Sequence, residues 1–211
     1  MPASFLCAAV VLVAYLIGSL SGSLLLGRLR GVDIRNQGSG NAGGTNALRT
    51  QGWKFALGVV LIDVGKGALA AWLGLHFGSG QGTLPAHALP YASVLAAALG
   101  HVWPLWHGFR GGKGVGTLLG GLLVLWPGAV PYLLAAWILV LVSSGYVGLA
   151  SVIAVACVVP LAWLGDVDYA RRLFACAAAL LVLFTHRGNL RRLRAGSESR
   201  FERVRLLRKR S

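Results

Sequence analysis

Three short polar segments interrupt an otherwise apolar chain, and each combines basic residues with glycine, hydroxyl or amide side chains. They cover residues 31–49, 108–117 and 185–198. Glycine lets the backbone turn several N–H groups toward one point, and an arginine or lysine beside such a turn supplies charge-assisted hydrogen bonds. These residue types together predict the binding of phosphate groups.

The first polar segment contains the strongest candidate for a phosphate-binding nest, a concave turn of backbone N–H groups. Arg35 and Arg49 flank this candidate nest. Residues 38–43 match the spacing G-x-G-x-x-G, but no strand is predicted before them, so a dinucleotide site is not indicated. A flexible polar loop between two membrane spans is the alternative interpretation. The candidate nest residues are Ser39, Gly40, Asn41, Gly43, Thr45 and Asn46.

The second polar segment places Lys113 between Gly112 and Gly114, directly before an apolar run. It is not a Walker A loop, because His107 stands where that motif needs glycine and Gly114 where it needs serine or threonine. A lysine in a glycine turn that opens a helix can still hold an anion, because the helix N-terminus offers unpaired N–H groups. An ordinary basic loop on the cytoplasmic side is the alternative.

The third polar segment follows the last apolar run of the chain. His186, Asn189 and Arg192 recur there at helical spacing, so His186 and Asn189 can face one site. The alternative is a cluster of arginines that stops translocation and binds lipid headgroups, which explains most of the charge. The basic tail, about residues 187–211, is predicted to lie on the anionic membrane surface. Its apolar stripe consists of Phe201, Val204 and Leu207.

Ionisable residues inside an apolar run are rare and need an explanation. Asp63 and Lys66 lie three residues apart on one helical face, so mutual pairing, neutralisation of a loop arginine and a functional role all remain open. We interpret His101 as a hydrogen-bonding packing residue. The three cysteines have no metal-ligand spacing, and we interpret them as buried, inert thiols. They are Cys7, Cys157 and Cys176.

The composition indicates the setting in which these segments work. Of 211 residues, 56% are hydrophobic and only 12% are charged, and the formal net charge is +14. Average soluble domains carry roughly 25% charged residues. This composition excludes a soluble enzyme, a fibrous protein and a disordered chain. It predicts an all-α, polytopic membrane protein without a separate soluble domain, so that residues 1–211 form one membrane-embedded unit.

The apolar runs predict seven transmembrane helices. The uncharged stretch between residues 114 and 165 holds either two or three spans by hydropathy alone. Three spans place all the basic clusters on the cytoplasmic side, with the N-terminus outside the cell and the C-terminus inside. The predicted spans are about residues 5–26, 55–77, 88–106, 115–126, two further spans separated by breaks near Pro127 and Gly145, and 173–185.

Taken together, the polar segments resemble the PlsY family, bacterial membrane acyltransferases that transfer an acyl group from acyl-phosphate to glycerol-3-phosphate. The resemblance covers nearly the whole chain, and the ordered set of motifs makes it specific. Gly148 departs from the family, which usually has serine there. The motifs are Asp33-Ile34-Arg35, Gly38-Ser39-Gly40-Asn41, Gly43 with Thr45-Asn46, Arg49, Asp63 with Lys66, Gly100-His101, Gly111-Gly112-Lys113-Gly114 with Thr117, Tyr146-Val147, Ser151, His186-Arg187 with Asn189, Arg192-Leu193 and Glu198.

The resemblance implies a seven-span enzyme of the bacterial inner membrane with its active site at the cytoplasmic face. The implied reaction acylates the sn-1 hydroxyl of glycerol-3-phosphate and releases 1-acylglycerol-3-phosphate (lysophosphatidic acid) and phosphate, as the first step of phospholipid synthesis. No metal or organic cofactor is implied, and the implied partner is the enzyme that makes acyl-phosphate. No nucleic acid partner is expected. A membrane transporter or channel for an organic phosphate is the alternative, because the same loops could bind its cargo.

The resemblance also implies roles for individual residues. The nest would hold the phosphate of acyl-phosphate, and Arg49 and Lys113 would neutralise the phosphates. Ser151, His186 and Asn189 would orient glycerol-3-phosphate and its attacking hydroxyl. The supporting residues are Arg35, Gly112, Gly114, Arg192 and Glu198, of which Glu198 would hold an arginine in place.

Overall fold

The structure, a computed structural model, describes residues 3–78 and 88–201, and every regular element within these ranges is helical. The predicted all-α class is therefore confirmed. The chain divides into two compact units, Met1–Trp126 and Pro127–Ser211. Val204 and Leu207 of the predicted tail stripe lie outside the described residues. The helices are α1 (Ala3–Gly18), α2 (Gly22–Leu29), α3 (Gly44–Gln51), α4 (Trp53–Phe77), α5 (Ala88–Val102), α6 (Val115–Leu125), α7 (Val130–Ser144), α8 (Val147–Ala156), α9 (Val158–Leu164), α10 (Tyr169–Thr185) and α11 (Arg187–Arg194).

Glycines bring helix backbones of the first unit into direct contact. Gly18 of α1 faces the backbone of Ala97 on α5 so closely that a Cβ atom would overlap it. Gly67 of α4 faces the carbonyl of Thr117 on α6 in the same way. Small residues allow two helix backbones to approach closely. Such packing drives helix association in a membrane, because the lipid tails are as apolar as the helix side chains. α4 is thereby fixed against the helix that follows Lys113.

The first apolar run, predicted as one span over about residues 5–26, is a bent pair of helices that pass as one span only together. α1 and α2 meet at an angle of 45°. The break frees backbone groups that need partners in a low-dielectric surrounding. The carbonyl of Leu20 accepts a hydrogen bond from Lys66 Nζ at 3.1 Å, and the N–H of Gly22 donates to Asp63 Oδ1 at 3.1 Å. Two side chains of α4 thus stabilise the bend.

In the second unit, glycine and proline set the helix boundaries. α7 ends at Gly145, which has a left-handed backbone with φ +79°, and the predicted breaks near Pro127 and Gly145 are confirmed. α8 and α9 are separated at Cys157. Pro160 explains this break, because its ring removes a donor and clashes with the carbonyl four residues earlier.

The last apolar run begins earlier than expected and bends at its end. α10 covers Tyr169–Thr185 and so contains the span predicted at about residues 173–185. The carboxylate of Asp168 accepts a hydrogen bond from the N–H of Arg171 at 2.8 Å and caps the helix there. α10 and α11 then meet at 55°, with His186 at the junction.

Several helices are long and apolar enough to cross a membrane. Within the described residues there are four such helices, or up to six if each bent pair forms one span. α6 is a shorter apolar helix, as expected for the span predicted at residues 115–126. The total of seven spans and their orientation stay predictions.

Candidate active site

Left-handed glycines shape the first polar segment, as the sequence predicts. Gly38 has φ +55° and Gly40 has φ +70°, values that side chains other than glycine rarely adopt. The segment then enters α3 through Gly43, whose backbone is extended. The turn is therefore tight and ends directly at a helix start.

The side chain of Asn46 forms three hydrogen bonds with backbone groups of this segment. Its side chain is buried, and its Oδ1 accepts a hydrogen bond from the N–H of Ser39 at 2.9 Å. Its Nδ2 donates to the carbonyls of Ile34 and Gln37 at 3.1 and 2.9 Å. The Asn46 side chain therefore holds the nest together, and the N–H of Ser39 is already engaged inside it.

The N-terminus of α3 offers the N–H groups that a phosphate would use. Gly44, Thr45 and Asn46 form its first turn, and their N–H groups have no earlier carbonyl of the helix to donate to. The partial positive charge of a helix N-terminus adds to the attraction of an anion. Arg49, by contrast, lies in the last turn of α3.

The second polar segment also ends at a helix start. Gly114, with φ +85°, is the N-cap of α6, so Lys113 stands directly before a helix N-terminus, as predicted. The N–H groups of Gly111 and Gly112 donate to the carbonyls of Val102 and His101 at 3.1 and 3.0 Å. These two hydrogen bonds dock the Lys113 turn, residues 111–114, onto the end of α5.

The structure brings the first two polar segments together. Gly112 packs so closely against the first segment that a Cβ atom would lie 2.7 Å from the carbonyl oxygen of Ala42. Arg35 Nη1 donates to the carbonyls of His107 and Arg110 at 2.9 and 3.2 Å. Two helix N-termini, those of α3 and α6, are thus held in one region of the first unit, which favours the binding of anions.

Asp33 locks Arg35 in this position. Arg35 Nη2 lies 2.7 Å from Asp33 Oδ2, and Arg35 Nε lies 3.0 Å from Asp33 Oδ1. The hydrogen bonds from Arg35 hold the pKa of the Asp33 carboxyl below its ordinary value, and the carboxylate raises the pKa of Arg35 in turn. Arg35 therefore acts as a clamp on the second segment, and its supporting role in the site stays a prediction.

Asp63, Lys66 and His101 form a buried triad in the same unit. Lys66 Nζ lies 2.9 Å from Asp63 Oδ1 and 2.7 Å from His101 Nδ1. Asp63 pairs with Lys66, which is one of the three explanations that the sequence left open, and His101 hydrogen-bonds as expected. Among the described residues, no group of three or more His, Cys, Asp or Glu side chains could hold a metal ion.

In the second unit, Ser151 and His186 are both buried. The indole N–H of Trp137 donates to Ser151 Oγ at 3.3 Å. His186 Nδ1 lies 2.9 Å from the carbonyl oxygen of Val182, which can only accept, so Nδ1 carries the proton. The neutral ring then has its lone pair on Nε2, which is the form that a proton acceptor needs.

Glu198 joins two of the predicted residues of the third segment. Asn189 Nδ2 donates to Glu198 Oε1 at 2.5 Å, and Arg192 Nε donates to Glu198 Oε2 at 2.7 Å. The expectation that Glu198 holds an arginine is confirmed. Asn189 also packs against α8, where a Cβ atom on Gly148 would lie 2.8 Å from Asn189 Nδ2. Ser151 follows Gly148 by three residues and shares that helix face.

Sequence reasoning assigned no role to Thr117, the third residue of α6. Its side chain is fully buried, and its hydroxyl oxygen has no hydrogen-bond partner among the described residues. Buried polar groups without partners are uncommon and need an explanation. The sequence did carry a signal for this residue, because Thr117 is a polar residue within the apolar run that follows Lys113.

The apolar helices and the anion-binding turns define a helical membrane protein that handles phosphorylated compounds. Comparison with known proteins makes the assignment specific. The chain belongs to the glycerol-3-phosphate acyltransferase family, whose model matches residues 8–196. This assignment favours an enzyme over a transporter.

Individual relatives agree with the family model over almost the full length. A glycerol-3-phosphate acyltransferase of Symbiobacterium thermophilum is 42% identical over 191 residues, which cover 90% of this chain and 92% of the relative. One of Chlorobaculum parvum is 38% identical over 221 residues, covering 91% and 95%. The crystal structure of PlsY (YgiH), an integral membrane glycerol 3-phosphate acyltransferase, in its glycerol 3-phosphate form is similar, with a TM-score of 0.84 and 31% identity over 92% and 95% of the chains.

Proposed function

We propose that this protein transfers a fatty acyl group from acyl-phosphate to the sn-1 hydroxyl of glycerol-3-phosphate, giving 1-acylglycerol-3-phosphate and phosphate. Membership of the glycerol-3-phosphate acyltransferase family supports the acceptor and the reaction type. A similar solved structure is described as the lysophosphatidic acid form of PlsY, which supports the product class. The enzyme is a multi-pass protein of the bacterial inner membrane.

The observation that carries this proposal is the contact between the loops that lead into α3 and α6, where Gly112 packs against the carbonyl of Ala42. The reaction brings two phosphorylated compounds together, so their mutual repulsion must be offset. The first turns of α3 and α6 supply directed N–H groups, and Lys113 supplies a positive charge beside them. A site of this kind suits the phosphate of acyl-phosphate, because that phosphate is both the recognition element and the leaving group.

Acyl-phosphate as donor also fits the residues that the chain offers. A mixed anhydride is already activated, so the reaction needs no covalent acyl-enzyme and no nucleophile activated by a neighbouring base. Positioning of the reactants supplies on the order of 7–11 kcal/mol of the barrier reduction. A donor aimed at the developing oxyanion supplies roughly 3–4 kcal/mol. In this scheme the Lys113 turn polarises the acyl carbonyl, and Arg49 neutralises phosphate charge.

The residues of the second unit are proposed to act on the acceptor. Ser151, His186 and Asn189 orient glycerol-3-phosphate and its attacking hydroxyl. Glu198 supports Asn189 through the hydrogen bond described above, and Arg192 balances the carboxylate charge. Either His186 Nε2 or a phosphate oxygen of the substrate takes the hydroxyl proton. The Nδ1–H tautomer of His186 supports the first alternative.

The membrane arrangement belongs to the same proposal. Seven spans with the N-terminus outside put all three polar segments at the cytoplasmic face, where both substrates are made. The protein then forms one membrane-embedded domain over residues 1–211 and depends on the enzyme that produces acyl-phosphate. The acyl chain of the donor enters from the inner leaflet.

The experiment that tests this proposal compares donors with the purified protein in detergent or lipid mesophase. Palmitoyl phosphate and labelled glycerol-3-phosphate should give labelled lysophosphatidic acid and an equal amount of phosphate. Palmitoyl-CoA at the same concentration should give no product. Phosphate release that does not depend on glycerol-3-phosphate, or equal use of the CoA thioester, would contradict the proposed reaction.

A further inference from the structure

The polar contacts of the buried triad converge on three atoms, Asp63 Oδ1, Lys66 Nζ and His101 Nδ1. Asp63, Lys66 and His101 are 4%, 6% and 4% exposed. The three N–H donors of the Lys66 ammonium reach Asp63 Oδ1 at 2.9 Å, His101 Nδ1 at 2.7 Å and the carbonyl of Leu20 at 3.1 Å. An isolated buried charge costs several kcal/mol, so an ion pair persists there only when its remaining groups are hydrogen-bonded.

Both charged residues of the triad contact the same ring nitrogen of His101. His101 Nδ1 lies 2.7 Å from Lys66 Nζ and 3.3 Å from Asp63 Oδ1. The ring is thus fixed in orientation by α4, on which both charged residues lie.

The other edge of the His101 ring faces the Lys113 turn. His101 Nε2 contacts Gly112 so closely that a Cβ atom there would overlap the ring. The N–H of Gly112 also donates to the carbonyl of His101 at 3.0 Å. Gly112 is thereby held on two sides by one residue, and Lys113 is its immediate neighbour in the chain. The orientation of the ring sets where the turn can lie.

We propose that the buried triad is a positioning network, in which Asp63 and Lys66 fix the His101 ring and the ring fixes the Lys113 turn for phosphate binding. This inference rests on the proposed phosphate-binding role of Lys113. The triad residues do not touch substrate in this account and act through Gly112. Supporting groups behind a binding residue commonly change affinity about 10- to 100-fold when they are removed, as they do around metal ligands.

Two single variants separate positioning from general stabilisation. Lys66→Met keeps the length of the side chain and removes the ammonium. His101→Asn keeps an acceptor for Lys66 near the place of Nδ1 but removes the ring edge at Gly112. The network predicts that both raise the KM for acyl-phosphate about tenfold, with kcat per folded enzyme changed much less. His101→Asn should do so with a Tm close to that of the wild type.

Ser93→Ala is the matched control, because Ser93 is buried on α5 and its hydroxyl donates to the carbonyl of Leu89 in the same helix. It should leave the KM unchanged. If Lys66→Met does not fold, the double variant Asp63→Asn/Lys66→Met, which buries no charge, replaces it. An unchanged KM in His101→Asn and in the folded Lys66 variant would overturn the network and leave a purely structural ion pair.

Lys113→Ala distinguishes failure of this inference from failure of the proposed function. If Lys113→Ala raises the KM and the triad variants do not, the network is wrong and the role of Lys113 stands. If Lys113→Ala itself leaves the KM and turnover unchanged, the proposed role of Lys113 is wrong. The positioning network is then wrong as well, because it is proposed to act through Lys113.

Discussion

At the scale of single residues, the absence of a side chain at Gly112 is as important as the charge of Lys113. Gly112 lies between His101 Nε2 and the carbonyl of Ala42, so it joins the two anion-binding turns and the buried triad. Sequence could predict that glycines shape these loops. It could not show which glycine is limited by space, because the neighbours of Gly112 come from distant parts of the chain.

We predict that Gly112→Ala lowers turnover about 100-fold or more, because the new methyl group forces the Lys113 turn away from His101. Misplacement of a catalytic group by about 1 Å has an effect of this size. Gly116→Ala is the control. The nearest atom to its new Cβ would be Asp63 Cβ at 3.5 Å, which is ordinary contact. Steady-state phosphate release measures both, and equal activities would contradict the packing described here.

The Asp33–Arg35 clamp gives a prediction about pH. Because Arg35 holds the pKa of Asp33 below 3.8, ionised Asp33 stabilises the folded state at all pH values above about 4. This contribution is lost as the pH falls through the lowered pKa. We expect Asp33→Asn to lower Tm by an amount that is constant above about pH 5 and shrinks toward zero below pH 4. A partly exposed pair contributes only about 0.2–1 kcal/mol, so the shift is small. A Tm difference that grows in acid would contradict this sign.

At the scale of helices, the chain shows what local pattern can and cannot predict. α6 ends shortly before Pro127 and α7 ends directly before Gly145, and the sequence predicted both breaks. The bend between α1 and α2 was missed, because the first 27 residues are uniformly uncharged. The partners of that bend, Asp63 and Lys66, lie on α4, so only tertiary contacts could reveal it.

The candidate active site, like the helices, was predictable from local sequence only in part. Which segments bind anions was predictable from glycines and basic residues, and the pairing of Arg192 with Glu198 was expected. The sequence did not show which backbone N–H groups are already hydrogen-bonded inside the turns. Asn46 stands in the predicted nest, yet its side chain bonds Ser39 and the loop carbonyls. Within the described residues, the first turns of α3 and α6 hold N–H groups without an earlier carbonyl in the same helix.

Glu198 follows α11, and its carboxylate accepts hydrogen bonds from Asn189 and Arg192 on that helix. We expect Glu198→Gln to lower kcat at least about tenfold, since hydrogen bonds to charged groups contribute roughly 1.5–3 kcal/mol and a glutamine would present an N–H to the Arg192 donor. Asp166→Asn changes an exposed carboxylate and should have no effect. If the Glu198 variant matches wild type, the proposed support of Asn189 is unnecessary for the reaction.

For the molecule as a whole, the arrangement of basic residues predicts the orientation in the membrane. The three basic clusters require the C-terminus inside and the N-terminus outside if they are to share one face. We predict that green fluorescent protein fused to the C-terminus fluoresces and that alkaline phosphatase fused there is inactive. The same reporters at the N-terminus should give the opposite pattern. Cytoplasmic reporters at both ends would mean an even number of spans and would contradict the seven-span proposal.

The first unit carries Lys113 directly before the N-terminus of α6. The second unit carries Ser151, His186 and Asn189, whose roles are proposals. The relatives match the chain over 90% or more of its length. The central claim is that glycine-shaped, basic turns of the first unit bind the phosphate that leaves in the reaction.

The most direct test measures glycerol-3-phosphate-dependent phosphate release from palmitoyl phosphate by Ser39→Ala, Lys113→Ala and the control Lys54→Ala. Lys54 lies on α4 over the ring of Trp53 and outside both turns. We expect Lys113→Ala to lose about 100- to 1,000-fold in turnover, as when a charge-stabilising donor is removed, and Ser39→Ala to lose about tenfold, with Lys54→Ala unchanged. Release at the wild-type rate in both Ser39→Ala and Lys113→Ala would contradict the account.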